Sequence, residues 1–139
     1  MPDFLLDTNV FSEFTKHDPA PSSIAFLADP KKFWTSSVVC YELNFGTHLL
    51  PRGRRRDMLK IQISFLMDLF ENRILPVGKE EMDAAAYLMA KAKLSGRTPE
   101  LADILIAGTA QANNLVLVTR NVRDFENLGV EIVNPWDAG

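Results

Sequence analysis

Leu115-Val116-Leu117-Val118 is an unbroken apolar run of strand length, set between the turn formers Asn113-Asn114 and the polar Thr119-Arg120-Asn121. A strand that is apolar on both faces has to be covered on both faces, and a parallel sheet with crossover helices above and below it meets that demand. Phe4-Leu5-Leu6 repeats the pattern and ends in Asp7-Thr8-Asn9, which reads as a strand, a polar turn and a helix start. Further strands are expected at Lys32 to Thr35, Ile74 to Val77 and Val130 to Val133.

The segments between them have helical spacing. Val10, Phe11 and Phe14 mark a first helix, and Ile24 to Ala28 suggests a short one after the break at Pro19 and Pro21. Ser36 or Ser37 can cap a helix with Val38, Val39, Leu43 and Leu49 as its apolar positions, ending before Pro51. From Arg54 to Glu71 the apolar residues Met58, Ile61, Phe65, Leu66, Leu69 and Phe70 recur at three and four, which predicts the longest helix, an amphipathic one. An Ala-rich helix from Lys79 should stop near Gly96, and Thr98-Pro99-Glu100 reads as the start of another, with Thr98 as cap, ending at Asn113-Asn114. The expected fold is one α/β/α sandwich over residues 1–139, with a parallel sheet of about five strands and a short helix or turn from Asn121 to Asn127.

Composition narrows the function classes. No apolar stretch is long enough to span a bilayer, no secretory leader is apparent, and a single cysteine, Cys40, cannot form an internal disulfide. A cytoplasmic protein is the expectation. The net charge of −3 argues against a generally basic coat, yet Arg52, Arg54, Arg55, Arg56 and Lys60 against Asp57 give the segment 51–60 a charge of +4 and leave −7 elsewhere. Such a run is either a solvated helix start or a contact for a polyanion.

In an open parallel sheet the ligand site lies beyond the carboxyl ends of the strands, where the strand order reverses. Asp7 follows the first strand, Asn121 and Asp124 follow the Leu115 to Thr119 strand, and Glu42 and Asp103 lie about one turn into helices starting near the same edge. Each has a plainer reading: Asp7 as a helix cap, Glu42 as a solvent-facing residue, Asn121 and Asp124 as a capping pair. Asp103 is harder to explain that way, because it interrupts a helix that is apolar nearly all round, where an unpartnered acid is costly. Converging carboxylates repel unless a hard cation neutralises them, and an oxygen-only set suits Mg2+ or Mn2+. Zinc does not fit, since His17 and His48 stand alone; no phosphate-cradling glycine loop or nucleophile motif is present either. Hydrolysis by metal-activated water is the chemistry left.

Four motifs in order, Leu5-Leu6-Asp7-Thr8-Asn9-Val10, Ser36-Ser37-Val38-Val39-Cys40-Tyr41-Glu42-Leu43, Asp103-Ile104-Leu105-Ile106-Ala107 and Val118-Thr119-Arg120-Asn121-Val122-Arg123-Asp124-Phe125, resemble those of PIN-domain proteins of the VapC type, with the FitB-like branch nearest. Val133-Asn134-Pro135-Trp136 closes the chain as such proteins often do, so the resemblance spans essentially its whole length. It implies a Mg2+- or Mn2+-dependent endoribonuclease that is the toxin of a type II toxin-antitoxin pair, with RNA as substrate, a small antitoxin as partner and self-association into a dimer or higher oligomer. Asp7, Glu42 and Asp103 match the family's metal-holding acids. Asn121 falls where many relatives carry a fourth acid, so one tightly held ion is expected unless Asp124 compensates. The resemblance also makes Arg52, Arg54, Arg55 and Arg56 candidates for RNA backbone contact. Phe45, Leu49 and Leu50 are candidates for an exposed apolar patch, the alternative being that they are core. A non-catalytic PIN-like module that binds RNA or protein is the alternative function, separated by whether RNA is cut with and without Mg2+. A haloacid dehalogenase-type phosphohydrolase would need its second acid at Asn9, where none stands.

Overall fold

The computed structural model describes residues 3–19 and 29–137. Five parallel strands form one sheet in the order β3-β2-β1-β4-β5: β1 (Phe4–Leu6), β2 (Phe33–Ser36), β3 (Ile74–Leu75), β4 (Val116–Val118) and β5 (Ile132–Val133). Among the described residues six α-helices flank them: α1 (Thr8–Phe14), α2 (Ser37–Leu49), α3 (Arg54–Leu69), α4 (Lys79–Leu94), α5 (Leu101–Ala112) and the single turn α6 (Val122–Phe125). The expected α/β/α sandwich is therefore what forms. The short helix expected over 24–28 lies outside the described residues.

Register follows from burial. Leu5 pairs with Trp34 on one side and with Leu117 on the other, so the centre of β1 is locked between two apolar neighbours. Leu5, Leu6, Leu117 and Val118 are all buried, as strands covered on both faces require. β3 is shorter than the run Ile74 to Val77 because Pro76 has no N–H to give to the ladder. β5 likewise pairs only at its last two residues, Ile132 and Val133, of the four expected.

Two helix ends place strands accurately. At the end of α4, Gly96 has φ +80°, its N–H donates to the Lys93 carbonyl (3.0 Å), and the Arg97 N–H donates to the Ala92 carbonyl (2.9 Å). At the end of α5, Asn114 has φ 56°, and the Leu115 N–H donates to the Ala110 carbonyl (2.8 Å). Both are left-handed stops of the Schellman kind, and the second turns the chain directly into β4.

The structure corrects several helix expectations. Helix α5 starts at Leu101, not at Pro99, and Glu100 rather than Thr98 occupies the cap position, with no side-chain capping bond. Glu100 is still extended (φ −62°, ψ 144°), and its carbonyl accepts the first helical bond from Ile104 (3.1 Å). This places Asp103 in the first turn. The second correction concerns α3, whose apolar residues form two stripes. Ile63, Leu66 and, just beyond the helix, Phe70 face the core, whereas Met58, Ile61, Phe65 and Leu69 are exposed, Phe65 at 63%. Spacings of three and four describe either stripe, so periodicity alone merges them. Leu49, expected on the apolar face of α2, is also exposed, at 69%. Helix α4 equals α3 in length, at 16 residues each. No helix among the described residues is long and apolar enough to cross a membrane.

Helices α4 and α5 approach closely at Gly108. A Cβ added there would lie 2.7 Å from the Ala85 backbone nitrogen and 2.8 Å from its Cα and Cβ. Gly108→Ala is therefore expected to lower stability by about 1–3 kcal/mol, as overpacking does, read as a fall in Tm. Adding Ala85→Gly should recover only part of the loss, because two of the three opposing atoms are backbone.

Candidate metal centre

The strand order reverses between β1 and β4, since the chain builds outward to β2 and β3 on one side and to β4 and β5 on the other. The carboxyl ends of β1 and β4 therefore open into one crevice. Asp7 ends β1, its N–H donating to the Val118 carbonyl of β4 (3.0 Å). Ser36 caps α2 through its hydroxyl, which accepts from the Val38 N–H (3.1 Å), and that helix carries Glu42. Asp103 comes from the first turn of α5. One carboxylate oxygen from each of Asp7, Glu42 and Asp103 lies within 4.8 Å of the other two.

Asp7 serves two ends at once. It occupies the N-cap of α1, where its Oδ1 accepts from the Thr8 N–H (2.7 Å), so the capping reading is correct and does not compete with the cluster. Its Oδ2 accepts from the Thr119 hydroxyl (2.7 Å) and from the Asn9 amide (3.3 Å). The Thr119 Oγ1 in turn accepts from Asn9 Nδ2 (3.2 Å) and from the Asn121 N–H (3.1 Å), while Asn9 Oδ1 accepts from the Arg120 N–H (3.2 Å). The Thr8 hydroxyl donates to Glu42 Oε1 (2.6 Å). Thr8, Asn9 and Thr119 thus hold two of the three acids. In the sequence they stand inside the site motifs with no signal of this role beyond being small polar residues at strand ends.

The electrostatics of the cluster are unfavourable without a cation. Asp7 is only 2% exposed, and burial pushes its carboxyl above the ordinary range, against the opposing effect of the Thr119 and Thr8 hydrogen bonds. Asp103 is pushed up to about 7, first by burial and then by the charges of Asp7, Glu42, Asp124 and Glu100. Two carboxyl groups held above their ordinary range beside a third, with only oxygen donors, fit a hard divalent cation, whose charge offsets these penalties.

The remaining expected residues divide. Asp124 is exposed and outside the three-acid cluster, yet its charge acts on both Asp7 and Asp103. Asn121 stands at the N-cap of α6, but its side chain is exposed and makes no capping bond, so the expected capping pair with Asp124 does not form through that side chain. Here the backbone does the joining, the Asp124 N–H donating to the Asn121 carbonyl (3.3 Å). Arg52, Arg54 and Arg55 are exposed around the start of α3, and Arg56 is half-buried against His48, its Nη2 lying 3.0 Å from the ring Nδ1. Arg55 and Lys16 line a cavity of about 500 Å3 that reaches Thr8 and Glu42. Phe45 and Leu49 are exposed and Leu50 partly so, which settles the patch as surface, and Tyr41 stacks on Phe45 at 5.9 Å.

Comparison with known proteins agrees with this geometry. The chain is 34% identical over 136 residues to the VapC ribonuclease Y4jK of Sinorhizobium fredii, covering 96% of this chain and 97% of that one. It is 32% identical over 135 residues to the toxin FitB of Neisseria gonorrhoeae, covering 95% and 97%. The crystal structure of FitAcB from the same organism superposes with a TM-score of 0.87 at 32% identity, over 96% of this chain and 98% of the other. The sequence pattern that defines the PIN domain matches residues 4–131. With these carboxylates at this switch point, and that match across nearly its whole length, the chain belongs to the PIN domain family.

Proposed function

We propose that this protein is the toxin of a type II toxin-antitoxin pair, a Mg2+- or Mn2+-dependent endoribonuclease acting on RNA in the cytoplasm, and that residues 1–139 form one PIN domain. The observation that carries this reading is the convergence of Asp7, Glu42 and Asp103; the ribonuclease and toxin relatives support the reaction and the biological role.

In this reading the three acids hold one divalent cation, which when bound neutralises charge on the phosphodiester and acidifies water. Thr119 and Asn9 hold Oδ2 of Asp7, and Thr8 holds Oε1 of Glu42, so neither carboxylate has to reorganise as charge develops. Asn121 lends the site no negative charge, and Asp124 stands outside the three-acid cluster, which favours one ion over two. The exposed Tyr41, Phe45 and Leu49 of α2, with Ile61 and Phe65 of α3, support burial against an antitoxin and a second copy. Arg52, Arg54, Arg55 and Arg56 are available to that protein partner or to RNA.

RNA cleavage by the purified protein is expected to require Mg2+ or Mn2+ and to stop in EDTA. Asp7→Asn and Asp103→Asn should each lower the rate by about 100-fold or more, the loss expected when a site that polarises phosphate and water is dismantled; cleavage that persists in EDTA would reject the reading and leave at most a metal-independent or binding role.

Thr119→Val removes the buried hydroxyl with little change of shape. Mn2+ affinity, measured by titration calorimetry, should fall by about 10–100-fold, while Thr119→Ser should stay near the parent.

The pH dependence has a definite sign in the chelated protein. Asp103 binds its proton more tightly folded, with a value of about 7, than at the ordinary 3.8, so the folded state loses stability as pH rises from about 4 to about 7. Asp103→Asn should therefore raise Tm of the metal-free protein at pH 8 while abolishing cleavage. Added Mn2+ should raise Tm of the parent and leave the variant nearly unchanged.

A further inference from the structure

Arg120 lies at the carboxyl edge of the sheet, one residue beyond Thr119. Its backbone N–H is bonded to Asn9 Oδ1 (3.2 Å), and the Asn9 amide is bonded to Asp7 Oδ2 (3.3 Å), so two hydrogen bonds fix the Arg120 backbone to the acidic cluster. Its side chain is exposed, and the guanidinium carbon stands 5.1 Å from the centre of the Trp136 ring. Trp136 comes just after β5, the neighbour of β4, and is itself held: its backbone N–H donates to Asn134 Oδ1 (3.0 Å) and its side chain packs partly against the core. Asp7, Arg120 and Trp136 thus follow the ends of β1, β4 and β5, three adjacent strands.

Among the described residues the ion pairs are Lys16 with Glu13, Lys32 with Asp29 and Lys79 with Asp83; Arg120 has no carboxylate partner. A guanidinium resting on an aromatic face uses its π surface and leaves the in-plane N–H donors open, and those donors match two phosphate oxygens. Three residues beyond Arg120, the Arg123 carbonyl accepts from Arg97 Nη1 (3.2 Å). By contrast, Arg56 is engaged by His48, and Arg55 lies on the cavity wall between α1 and α3.

We propose that Arg120, oriented by Trp136, is a substrate-binding residue that grips a backbone phosphate of single-stranded RNA next to the scissile one. The inference rests on the ribonuclease reading. A strand laid along the edge from β1 to β5 meets the acids at one phosphate and the Arg120 donors at a neighbouring one. Trp136 sets the direction of the donors and limits the side-chain freedom lost on binding.

The test uses a dye-labelled, mixed-sequence single-stranded oligoribonucleotide and fluorescence anisotropy over a range of salt, in an Asp103→Asn background so that RNA is not cut. Arg120→Ala is expected to lower affinity about tenfold and to flatten the slope of log K against log salt by about 0.7, one phosphate contact on a single strand. Arg120→Lys should keep most of the slope but not the affinity, because an ammonium does not stack and fork together. Trp136→Ala should lower affinity with the slope retained, and Trp136→Phe should restore it. Mn2+ affinity of Arg120→Ala in the otherwise unaltered chain should equal the parent's. Unchanged RNA affinity and slope in Arg120→Ala, with a lowered Tm, would overturn the proposal and make the pair a fastener for the chain after β5. A slope that responds only to Arg52, Arg54 and Arg55 changed to Gln would overturn it too, moving the contact to α3. If the background protein binds no RNA and the parent cuts none, the ribonuclease reading fails as a whole, whereas intact cleavage and binding with an indifferent Arg120 sinks this assignment alone.

Discussion

Asp7 is a carboxylate removed from water at the end of the central strand, and the organisation of the site depends on how that charge is compensated. Its two oxygens receive the Thr8 N–H, the Thr119 hydroxyl and the Asn9 amide, which cap α1, join β1 to the end of β4 and fix the start of the loop carrying Arg120. These donors do not offset burial, and the carboxyl stays above its ordinary range. Glu42 and Asp103 add like charge close by, and Asp103 is displaced to about 7, first by its burial and then by the neighbouring charges. A fold that was merely stable would have no reason to gather these groups. The free energy stored in their repulsion is returned when a divalent cation is bound, so affinity for the ion and instability without it are two readings of one arrangement.

The same arrangement explains which parts of the structure could be read from the sequence. Strands β1 and β4 are legible because burial on both faces demands unbroken apolar runs, and Gly96 and Asn114 announce helix ends because few other residues adopt the left-handed turn. The acids were legible because the sheet topology sends strand ends to one edge, and Asp103 because it breaks an otherwise apolar helix. The exposed stripe of α3 was not, since Met58, Ile61, Phe65 and Leu69 have the same spacing as a core face and nothing local distinguishes the two. The start of α5 was misplaced by two residues because Thr98-Pro99-Glu100 has good capping chemistry that the extended backbone at Glu100 does not use. Thr119 carries no signal of its role for a similar reason: a threonine at a strand end is ordinary, and only the fold shows its hydroxyl turned onto Asp7.

Charge around the site is arranged in two sectors. Toward α3, Arg55 and Lys16 line a cavity that reaches Glu42, bordered by exposed apolar side chains suited to a protein partner. Toward β5, Arg120 rests on Trp136 with Arg97 and Arg123 nearby, a sector of cations and one aromatic ring suited to a nucleic-acid strand. A small nuclease with a net charge of −3 can hold a polyanion where a few cations lie on its path to the acids, as Arg55 and Lys16 do on the cavity that reaches Glu42.

The central claim is that Asp7, Glu42 and Asp103 form one binding site for one divalent ion, and anomalous X-ray diffraction from crystals of the protein grown with Mn2+ tests it most directly. The account predicts a single strong anomalous peak about 2 Å from one oxygen of each of the three carboxylates, the distance expected for a small divalent ion on oxygen ligands, with Thr119 still bonded to the other oxygen of Asp7. A peak at other residues, or ordered carboxylates with no peak between them at saturating Mn2+, would contradict it.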